Sequence, residues 1–579
     1  MLSTGSAYAQ LSQTSNITQT GLTNNATVDQ TGGQEGISDI NQVGNNNFAN
    51  VTQSESPGNG SASFSLSANE ADIDQTGDNQ SASITQVHEV APPTGPTNSS
   101  TITQREAGGA ETSNASALAV GGFALEAIST QNGTGNIGII TQTNNGNFAF
   151  AEQNGDNNSS DINQSGLNNR AILNEQGFDF NLNGNDNDSR ITQTGDNNLA
   201  RVDQDGDFLT SIIDQSGNDN RARVRDQNAS NNTSTITQSG DNNDADVNDQ
   251  GAEPGTANIG SGNTSDITQS GNSNLATLNQ TGDGNTSNVT QNGFSDEASV
   301  TQDGNNNTNT ITQFAFGVDN VATVTQSGDD NTSVIEQGPG DTEVATVVQS
   351  GDGNTSDVDQ GFFDPGDGNV ALVTQSGNDN DSSVLQNFTT IGGTNSATVT
   401  QSGNDGSSTV DQVGTSNVAT LIQAGTNNGS TITQDGTNNA ATVEQANADN
   451  TSDVLQIGED HVAYVAQTGV TGQSVEINQS GIANDGNLID TGVENASDIM
   501  QIGETNYAHV FQTGNDSISD ILQDGVDNTA DVIQGSADNF SSIFQDGTLN
   551  SATVNQSVTS GNISNISQTG TSNTSTVLQ

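Results

Sequence analysis

The 579-residue chain has no cysteine, no tryptophan and no lysine, and only 3% of its residues are aromatic. Without cysteine, neither a disulfide framework nor a thiolate ligand or nucleophile is available. Seven arginines stand against 70 acidic residues, which gives a formal net charge of −63. Nucleic acids and anionic lipids are bound by clustered cations, so we expect neither as a partner. No stretch reaches the ~18 consecutive apolar residues of a membrane span, and we expect no membrane insertion.

Apolar residues make up only 28% of the chain, but they recur in a fixed pattern. Every eleven residues the sequence repeats a phrase, Asn-x-(Ala or Ser)-x-(Val, Ile or Leu)-x-Gln, with Gly two positions later. The terminal glutamine keeps this phase at Gln401, Gln412, Gln423, Gln434, Gln445, Gln456 and Gln467. Because the recurring residues occupy alternate positions, the period indicates a β-strand and excludes a helix.

The four residues between phrases are rich in Gly, Asn and Asp, which supply the positive φ angles of a chain reversal. Proline gives an independent check, because it removes a hydrogen-bond donor from a central strand. All seven prolines fall outside the phrases, at Pro57, Pro92, Pro93, Pro96, Pro254, Pro339 and Pro365. The phrases therefore have the composition of internal strands.

The small residue of the phrase alternates along the chain as Ala397, Ser408, Ala419, Ser430, Ala441, Ser452 and Ala463. The repeating unit is therefore a pair of strands, one of Ala type and one of Ser type. We predict an all-β fold, a flattened cross-β solenoid of about 24 two-strand rungs, about 22 residues each, with two facing parallel sheets. Gln would stack on Gln and Asn on Asn in hydrogen-bonded ladders at ~4.8 Å.

Representative ladder residues follow from the phrase. They are Asn274, Ala276, Leu278, Gln280, Gly282, Asn285, Ser287, Val289, Gln291, Ala397, Val399, Gln401, Ser408, Val410, Gln412, Ala530, Val532 and Gln534. We expect one continuous solenoid over residues 10–579, with seven insertions forming surface loops. These insertions lie at about 54–60, 87–97, 105–113, 177–186, 251–262, 361–368 and 387–394.

The N-terminus has a pattern typical of an export signal, for which the alternative is a chance small-x-small match in an alanine-containing leader. Ala7-Tyr8-Ala9 before Gln10 has the small-x-small pattern of a signal-peptidase site. The basic and apolar regions of a full signal are not upstream of it, so we interpret residues 1–9 as the remnant of a secretory signal peptide. Localisation outside the cell is the resulting expectation.

Two runs carry a resemblance to a known family. Gln280-Thr281-Gly282-Asp283-Gly284-Asn285 and Gln349-Ser350-Gly351-Asp352-Gly353-Asn354 closely resemble the QxGxGN of curlin repeats. The chain resembles a divergent member with many more repeats, and most second Gly positions are Asn, as at Asn197 and Asn242.

The resemblance implies a secreted subunit of curli-like functional-amyloid fibres, which serve biofilm matrix, adhesion and cell aggregation. It also implies export through an outer-membrane pore and a nucleating minor subunit as partners. The family's pore-targeting segment precedes its first repeat, whereas the phrase here begins by Asn16. In this respect the sequence departs from the family's pattern.

The first and last phrases lack the polar caps that protect soluble solenoids. We predict that both ends are edges for head-to-tail homopolymerisation, because open self-complementary ends generate filaments. The predicted edge residues are Asn16, Ile17, Gln19, Asn573, Ser575, Val577 and Gln579. The alternative is a monomeric or tip-located solenoid that acts as an adhesin or as an ice- or cation-binding surface protein.

No catalytic constellation accompanies the three histidines. We expect His88 in an insertion, His461 beside a turn as a surface residue, and His509 pointing outward. We therefore expect no enzyme activity and no resident cofactor. Paired outward threonines, as at Thr310 and Thr312, resemble part of an ice-binding lattice that interspersed acids interrupt.

Charged residues are predicted to stack in columns. Asp498 and Asp520 are 22 residues apart and should lie one above the other, where like charges repel. A solvated surface is the simpler interpretation, and gating of assembly by Ca²⁺ or salt is the functional one. Arg201, Arg223 and Asp246 should form another column, held by local charge pairing.

Overall fold

A computed structural model describes residues 13–31, 36–56, 69–89, 98–105, 125–175, 185–251, 260–361, 368–386 and 394–579. The chain divides into two compact units, Met1–Val289 and Thr290–Gln579. The described residues form 46 strands and no helix. The strands make 23 two-strand pairs, close to the expectation of about 24 rungs.

The strands of the first unit are β1 (Thr14–Thr20), β2 (Asn25–Thr31), β3 (Ile37–Val43), β4 (Phe48–Ser56), β5 (Glu70–Thr76), β6 (Gln80–Glu89), β7 (Ser99–Arg105), β8 (Leu125–Asn132), β9 (Ile137–Thr143), β10 (Phe148–Asn154), β11 (Ser159–Ser165), β12 (Arg170–Glu175), β13 (Asp188–Thr194), β14 (Leu199–Gln204), β15 (Thr210–Ser216), β16 (Arg221–Asn228), β17 (Thr233–Ser239), β18 (Asp244–Gly251), β19 (Thr264–Gln269) and β20 (Leu275–Thr281). The division between the units falls within β21 (Thr286–Gln291).

The strands of the second unit are β22 (Glu297–Asp303), β23 (Thr308–Gln313), β24 (Val321–Ser327), β25 (Thr332–Gln337), β26 (Val344–Ser350), β27 (Thr355–Gln360), β28 (Val370–Gln375), β29 (Asp381–Gln386), β30 (Ser396–Gln401), β31 (Ser407–Thr415), β32 (Val418–Gln423), β33 (Gly429–Thr437), β34 (Ala440–Gln445), β35 (Thr451–Glu459), β36 (Val462–Gln467), β37 (Ser474–Ile482), β38 (Asp485–Asp490), β39 (Ala496–Glu504), β40 (Tyr507–Gln512), β41 (Ile518–Val526), β42 (Thr529–Gln534), β43 (Phe540–Thr548), β44 (Ser551–Gln556), β45 (Ile563–Thr571) and β46 (Thr574–Leu578).

Each unit contains two parallel sheets, because every strand pairs with the strand two positions along the chain. In the first unit, odd strands from β1 to β19 form one sheet and even strands from β2 to β20 form the other. In the second unit, odd strands from β23 to β45 and even strands from β22 to β46 do the same. The expected β-solenoid with two parallel sheets is confirmed.

The alternation of Ala and Ser separates the two sheets. Ala397 pairs with Ala419 in the even sheet of the second unit, and Ser408 pairs with Ser430 in the odd sheet. In this part of the second unit successive rungs therefore stack like on like, with Ala in the even sheet and Ser in the odd sheet.

The core lies between the two sheets, and most strands contribute one buried branched side chain to it. In β30 the alternate residues Ala397, Val399 and Gln401 are fully buried, while the residues between them remain partly exposed. Small residues let the sheets approach, and the buried amides require hydrogen-bond partners inside the core.

The turns have the positive φ angles predicted for Gly and Asn. Gly282 has φ +95° and Gly284 has φ +69°, and Asn242, at the second Gly position of another turn, has φ +59°. Stacking adds a second requirement, since a Cβ placed on Gly436 would lie 1.9 Å from the carbonyl oxygen of Gly458 in the next rung. Glycine at this turn position therefore serves both backbone conformation and close approach.

Several sequence predictions fall outside the described residues. The signal remnant at residues 1–9 does so entirely, and so do the larger parts of the insertions, at 57–60, 90–97, 106–113, 177–184, 252–259, 362–367 and 387–393. At the edge of one predicted insertion, His88 lies in β6, since that strand continues to Glu89.

Candidate functional site

The glutamine at the end of each strand forms a ladder through the core of each unit. Gln412 Nε2 donates to Gln434 Oε1 at 2.8 Å, and to the carbonyl oxygen of Ser396 in the facing sheet at 3.0 Å. Both donors of this buried amide are satisfied, one along the stack and one across it. The glutamines therefore join successive rungs and also join the two sheets.

The asparagine at the start of each phrase forms a second ladder at the corner of the rung. The Asn439 backbone N–H donates to Asn417 Oδ1 at 3.1 Å, and Asn439 Nδ2 donates to the Gly458 carbonyl oxygen at 3.1 Å. Asn439 thus donates both to the turn of the next rung and to the corner asparagine of the previous rung.

The structure places the representative ladder residues on the inward face of their strands. The following are buried: Asn274, Ala276, Leu278, Gln280, Asn285, Ser287, Val289, Gln291, Ala397, Val399, Gln401, Ser408, Val410, Gln412, Ala530, Val532 and Gln534. Gly282 lies in the turn after β20.

The last strands of the second unit leave part of their inward face exposed. β46 pairs with β44, and its opposite edge faces no other strand of the described residues. Ser575 and Val577 are partly exposed, and Gln579 is exposed although its Oε1 accepts from Gln556 at 3.0 Å. Asn573 Nδ2 continues the corner ladder to Asn550 Oδ1 at 2.9 Å.

The first strand is exposed along its whole length. β1 pairs with β3, which places Ile17 on Ile40 and Gln19 on Gln42, and Ile17 is 47% exposed. Asn16, which we expected with them as an edge residue, lies on the outward face of β1. Its amide donates to Asp39 Oδ1 at 2.7 Å, so it is not part of the corner ladder.

Among the side chains that the structure describes, three acids replace amides inside the ladders, and the sequence reasoning missed them. Asp296 and Glu343 occupy corner positions of Asn, Asp490 occupies a ladder position of Gln, and all three are fully buried. Burial raises the pKa of Asp296 to about 7 and that of Asp490 to about 6. Aligning the phrase position by position would have revealed them.

Of these three acids, Glu343 has the largest rise in pKa. Burial raises its pKa to about 9, an effect that the side chain of Asn369 opposes and the carboxylates of Asp359 and Asp296 reinforce. Its backbone N–H donates to Asn320 Oδ1 at 3.0 Å, as an asparagine in the corner ladder would. A protonated carboxyl resembles an amide in combining a donor with an acceptor, which a carboxylate does not, so this position favours the neutral acid.

The prediction of a surface position for His461 is wrong. His461 is fully buried and takes the place of a corner asparagine. Its Nε2 lies 3.0 Å from the Ile457 carbonyl oxygen, and Nδ1 accepts from the Asn484 backbone N–H at 3.2 Å. These partners fit a neutral imidazole, and burial lowers the pKa of His461. His509 points outward as expected, with Nδ1 2.9 Å from Asp531 Oδ1.

The predicted acidic column is present on the outward face of the odd sheet of the second unit. The parallel register stacks Asp453, Glu476, Asp498 and Asp520 in four successive strands. Burial, and then the carboxylates of Glu476 and Asp520, raise the pKa of Asp498 to about 6. Like charges are thus held close together at neutral pH.

Arginines in the first unit are engaged by neighbouring acids, as the sequence indicated. Arg201 stacks on Arg223, and Arg223 stacks on Asp246. Arg223 forms ion pairs with Asp246 at 2.8 Å and with Asp244 at 3.4 Å. Local pairing accounts for this cluster.

Within the described ranges, no group of three or more His, Asp or Glu side chains is arranged to hold a metal ion. Nor does that part of the chain contain a helix long and apolar enough to cross a membrane. What the geometry provides is a set of periodic amide ladders that join rung to rung.

The fold and the ladders define a repeat protein of the β-solenoid class, with a structural core and no assembled catalytic group among the described residues. Within this class, six segments of the chain match the curlin associated repeat, at residues 195–225, 260–293, 288–314, 414–446, 492–525 and 537–570. The resemblance to a divergent curlin-repeat protein is confirmed. No curated protein is significantly similar in sequence to this chain.

Proposed function

We propose that this protein is an extracellular structural subunit that polymerises head to tail into curli-like amyloid fibres. Curlin repeats and the β-solenoid fold support a structural role. The fibres would serve as biofilm matrix and in adhesion and cell aggregation, roles that come from the family resemblance.

One observation carries the proposal: the inward residues of the last odd strand and of the first one match. β45 presents Ser564, Ile566 and Gln568, and β1 presents a serine, an isoleucine and a glutamine at the same three positions. If β1 of a second copy stacked on β45, Ile17 would lie on Ile566 and Gln19 on Gln568. The ladder would continue as it does between neighbouring rungs inside each unit.

The even strands match at the second and third of these positions and carry a small residue at the first. β46 and the residue after it present Ser575, Val577 and Gln579, and β2 presents Ala26, Val28 and Gln30. Docking both strands at once would bury inward side chains that are exposed within the part of the chain that the structure describes, and would pair the outer edges of β45 and β46 with those of β1 and β2 of the second copy. Such a contact is heterologous and does not close on itself, so it generates filaments.

Secretion and the partners other than the chain itself belong to the same proposal. An outer-membrane pore and a nucleating minor subunit follow from the family resemblance. The charge of −63 supports a solvated, dispersed surface and disfavours nucleic acid as a partner.

Electron microscopy and X-ray fibre diffraction of the purified full-length protein test the proposal. We expect unbranched filaments with a meridional spacing of about 4.7–4.8 Å. Discrete particles with the mass of one chain, persisting at high concentration, would refute polymerisation and favour the monomeric or tip-located adhesin or ice-binding alternative.

A further inference from the structure

One outward face of the second unit carries no charge over five successive strands. The first, third and fifth residues of β24, β26, β28, β30 and β32 point outward, and all are Val, Leu, Ile, Thr or Ser. We call this surface the neutral face. Val370, Leu372, Val418 and Ile422 on it are 38–46% exposed. In a chain with 70 acidic residues, such a continuous uncharged surface is exceptional.

In the same rungs, the outward face of the odd sheet is strongly charged. The outward positions of β25, β27, β29 and β31 include five acids: Glu336, Asp357, Asp359, Asp381 and Asp411. Burial, and then the carboxylates of Glu336 and Asp357, raise the pKa of Asp359 to about 6. Charge is therefore concentrated on one side of these rungs and absent from the other.

The neutral face is also regular. The parallel register places Val344 between Val321 and Val370, and Thr398 next to Thr420. Identical or similar β-branched side chains therefore repeat at the ~4.8 Å spacing of the rungs. Uncharged, in-register columns of this kind form the dry interfaces between paired cross-β sheets.

We propose that the neutral face is a self-association surface that packs against the neutral face of a second copy of this chain. Charge selects this occupant, because two chains of net charge −63 repel each other least where neither presents a carboxylate. Sheet-to-sheet pairing of this kind needs no end-to-end growth, so it goes beyond the proposed polymerisation.

The area of the neutral face is that of a weak interface between two chains. Repetition of the contact along a filament would strengthen it. Five strands at ~4.8 Å and six residues at ~3.3 Å give about 480 Å² per copy, or about 1,000 Å² for the pair. That total lies at the lower limit of specific interfaces. Filaments would repeat the contact once per subunit, and multivalency would make their pairing much tighter than that of two single chains.

The test compares two double variants of the full-length protein that add the same charge to opposite faces. Thr346→Glu with Thr398→Glu alters the neutral face, and Ser383→Glu with Thr409→Glu alters the acidic face. Sedimentation velocity measures dimerisation of dispersed chains, and mass per length by electron microscopy measures filament pairing. Circular dichroism establishes that both variants keep the wild-type β-sheet content.

We expect wild-type protein and the acidic-face variant to pair, and the neutral-face variant to pair about tenfold more weakly or not at all, because like charges would meet across the interface. Unchanged pairing of the neutral-face variant would overturn the proposal, as would equal loss in both variants. Wild-type protein that stays single and instead adsorbs to ice would also overturn it.

Salt dependence of the wild-type protein gives a second measurement that needs no substitution. Raising NaCl from about 0.05 M to about 0.5 M screens the acidic remainder of the chain, so pairing through a neutral face should tighten. Pairing that weakens severalfold with salt would indicate an ion-paired interface and contradict the inference.

Discussion

Gln434 lies directly beneath Gln456, and its Nε2 donates to the Oε1 of Gln456 at 2.8 Å. The second hydrogen of the same amide is donated to the Val418 carbonyl oxygen of the facing sheet at 3.1 Å. Repeated in each unit, this arrangement makes the stability of a rung depend on its neighbours, and a single side chain can be used to test it.

Replacing Gln434 by Glu should destabilise the rungs on both sides of β33. The carboxylate cannot donate to Gln456 or Val418, and each buried acceptor left without a donor costs ~1–3 kcal/mol. Hydrogen exchange of the β33 and β35 amides measures the effect. The matched control is Thr433→Glu, which adds the same side chain on the outward face. Equal protection in the two variants would contradict a structural role for the ladder.

Gly570→Ala should block filament growth while leaving the single chain folded. A Cβ at Gly570 meets no atom closer than Asn573 Nδ2 at 3.8 Å, whereas one at Gly547 lies 2.1 Å from the Gly570 carbonyl oxygen. In a filament, β1 of the next copy would place Gly21 against Gly570 as one rung stacks on another. Light scattering and seeded elongation measure growth.

Two controls separate steric blocking from backbone strain. Gly561 has φ +74° with no atom within 4 Å of its Cβ position, so Gly561→Ala adds strain without a collision. Gly547→Ala has comparable strain to Gly570→Ala and should destabilise the chain itself. Normal elongation by Gly570→Ala protein would show that growth does not proceed by stacking on the last rung.

Stability of the second unit should decrease as the pH rises, because Glu343 favours its neutral form. Its pKa rises from an ordinary value of 4.5 to about 9 on folding, so the folded chain holds a proton that the unfolded chain releases. The free energy of unfolding therefore falls from about pH 4.5 to about pH 9. Glu343→Gln should flatten this dependence, measured by hydrogen exchange of β24, β26 and β28.

Outward Glu444→Gln is the control for the removal of one carboxylate from the same sheet. The Glu444→Gln variant should still lose stability as the pH rises, as the wild-type protein does. The same pH dependence in wild-type protein and in Glu343→Gln would place the titrating group elsewhere.

The pH dependence of stability that His461 causes should have the opposite sign to that caused by Glu343. Burial lowers its pKa below the ordinary 6.5, so the unfolded chain binds a proton that the folded chain does not. Stability is therefore lost as the pH falls through about 6.5. His461→Asn restores the usual corner residue and should remove this acid sensitivity from β36 and β38. Acid sensitivity that persists in the variant would show that His461 is not responsible.

Asp498→Asn should stabilise the odd sheet of the second unit at pH 7, by ~0.2–1 kcal/mol for each like-charged neighbour that it relieves. The gain should disappear at pH 4, below the value of about 6 to which the Asp498 pKa is raised, because Asp498 itself is then largely protonated and carries no charge for the substitution to remove. Ca²⁺ or salt should stabilise wild-type protein more than the variant.

The turn residue Asp516 provides the control, since it has φ +54° and asparagine tolerates that conformation. Asp516→Asn removes a carboxylate from outside the column and should keep the wild-type response to cations. If Asp498→Asn responds to Ca²⁺ in the same way as wild-type protein, cations do not act through the column.

The pattern of the phrase was enough to predict the strands, their inward faces and the partners of many columns. Asp498 and Asp520 are 22 residues apart and do stack, and Arg201, Arg223 and Asp246 form the expected column. Side chains alternate with a period of two residues, and the repeating unit is a pair of strands. Together these two facts largely determine which side chains face inward.

Residues that depart from the phrase were harder to interpret. His461 was expected at the surface because an isolated histidine is usually a surface residue, although its position in the phrase is that of a buried asparagine. There, position within the repeat outweighed residue type.

The sequence by itself determined the period, the two-sheet solenoid and the like-on-like stacking, because alternation along a strand fixes one face and constant spacing fixes the partner. Only the tertiary structure decided how the ladders cross long insertions, as where Gln86 meets Gln131 across 45 residues. It also revealed that ladder glutamines such as Gln412 and Gln434 bond to the facing sheet and that acids can replace amides in the core. Those outcomes depend on distances between strands that lie far apart in the sequence.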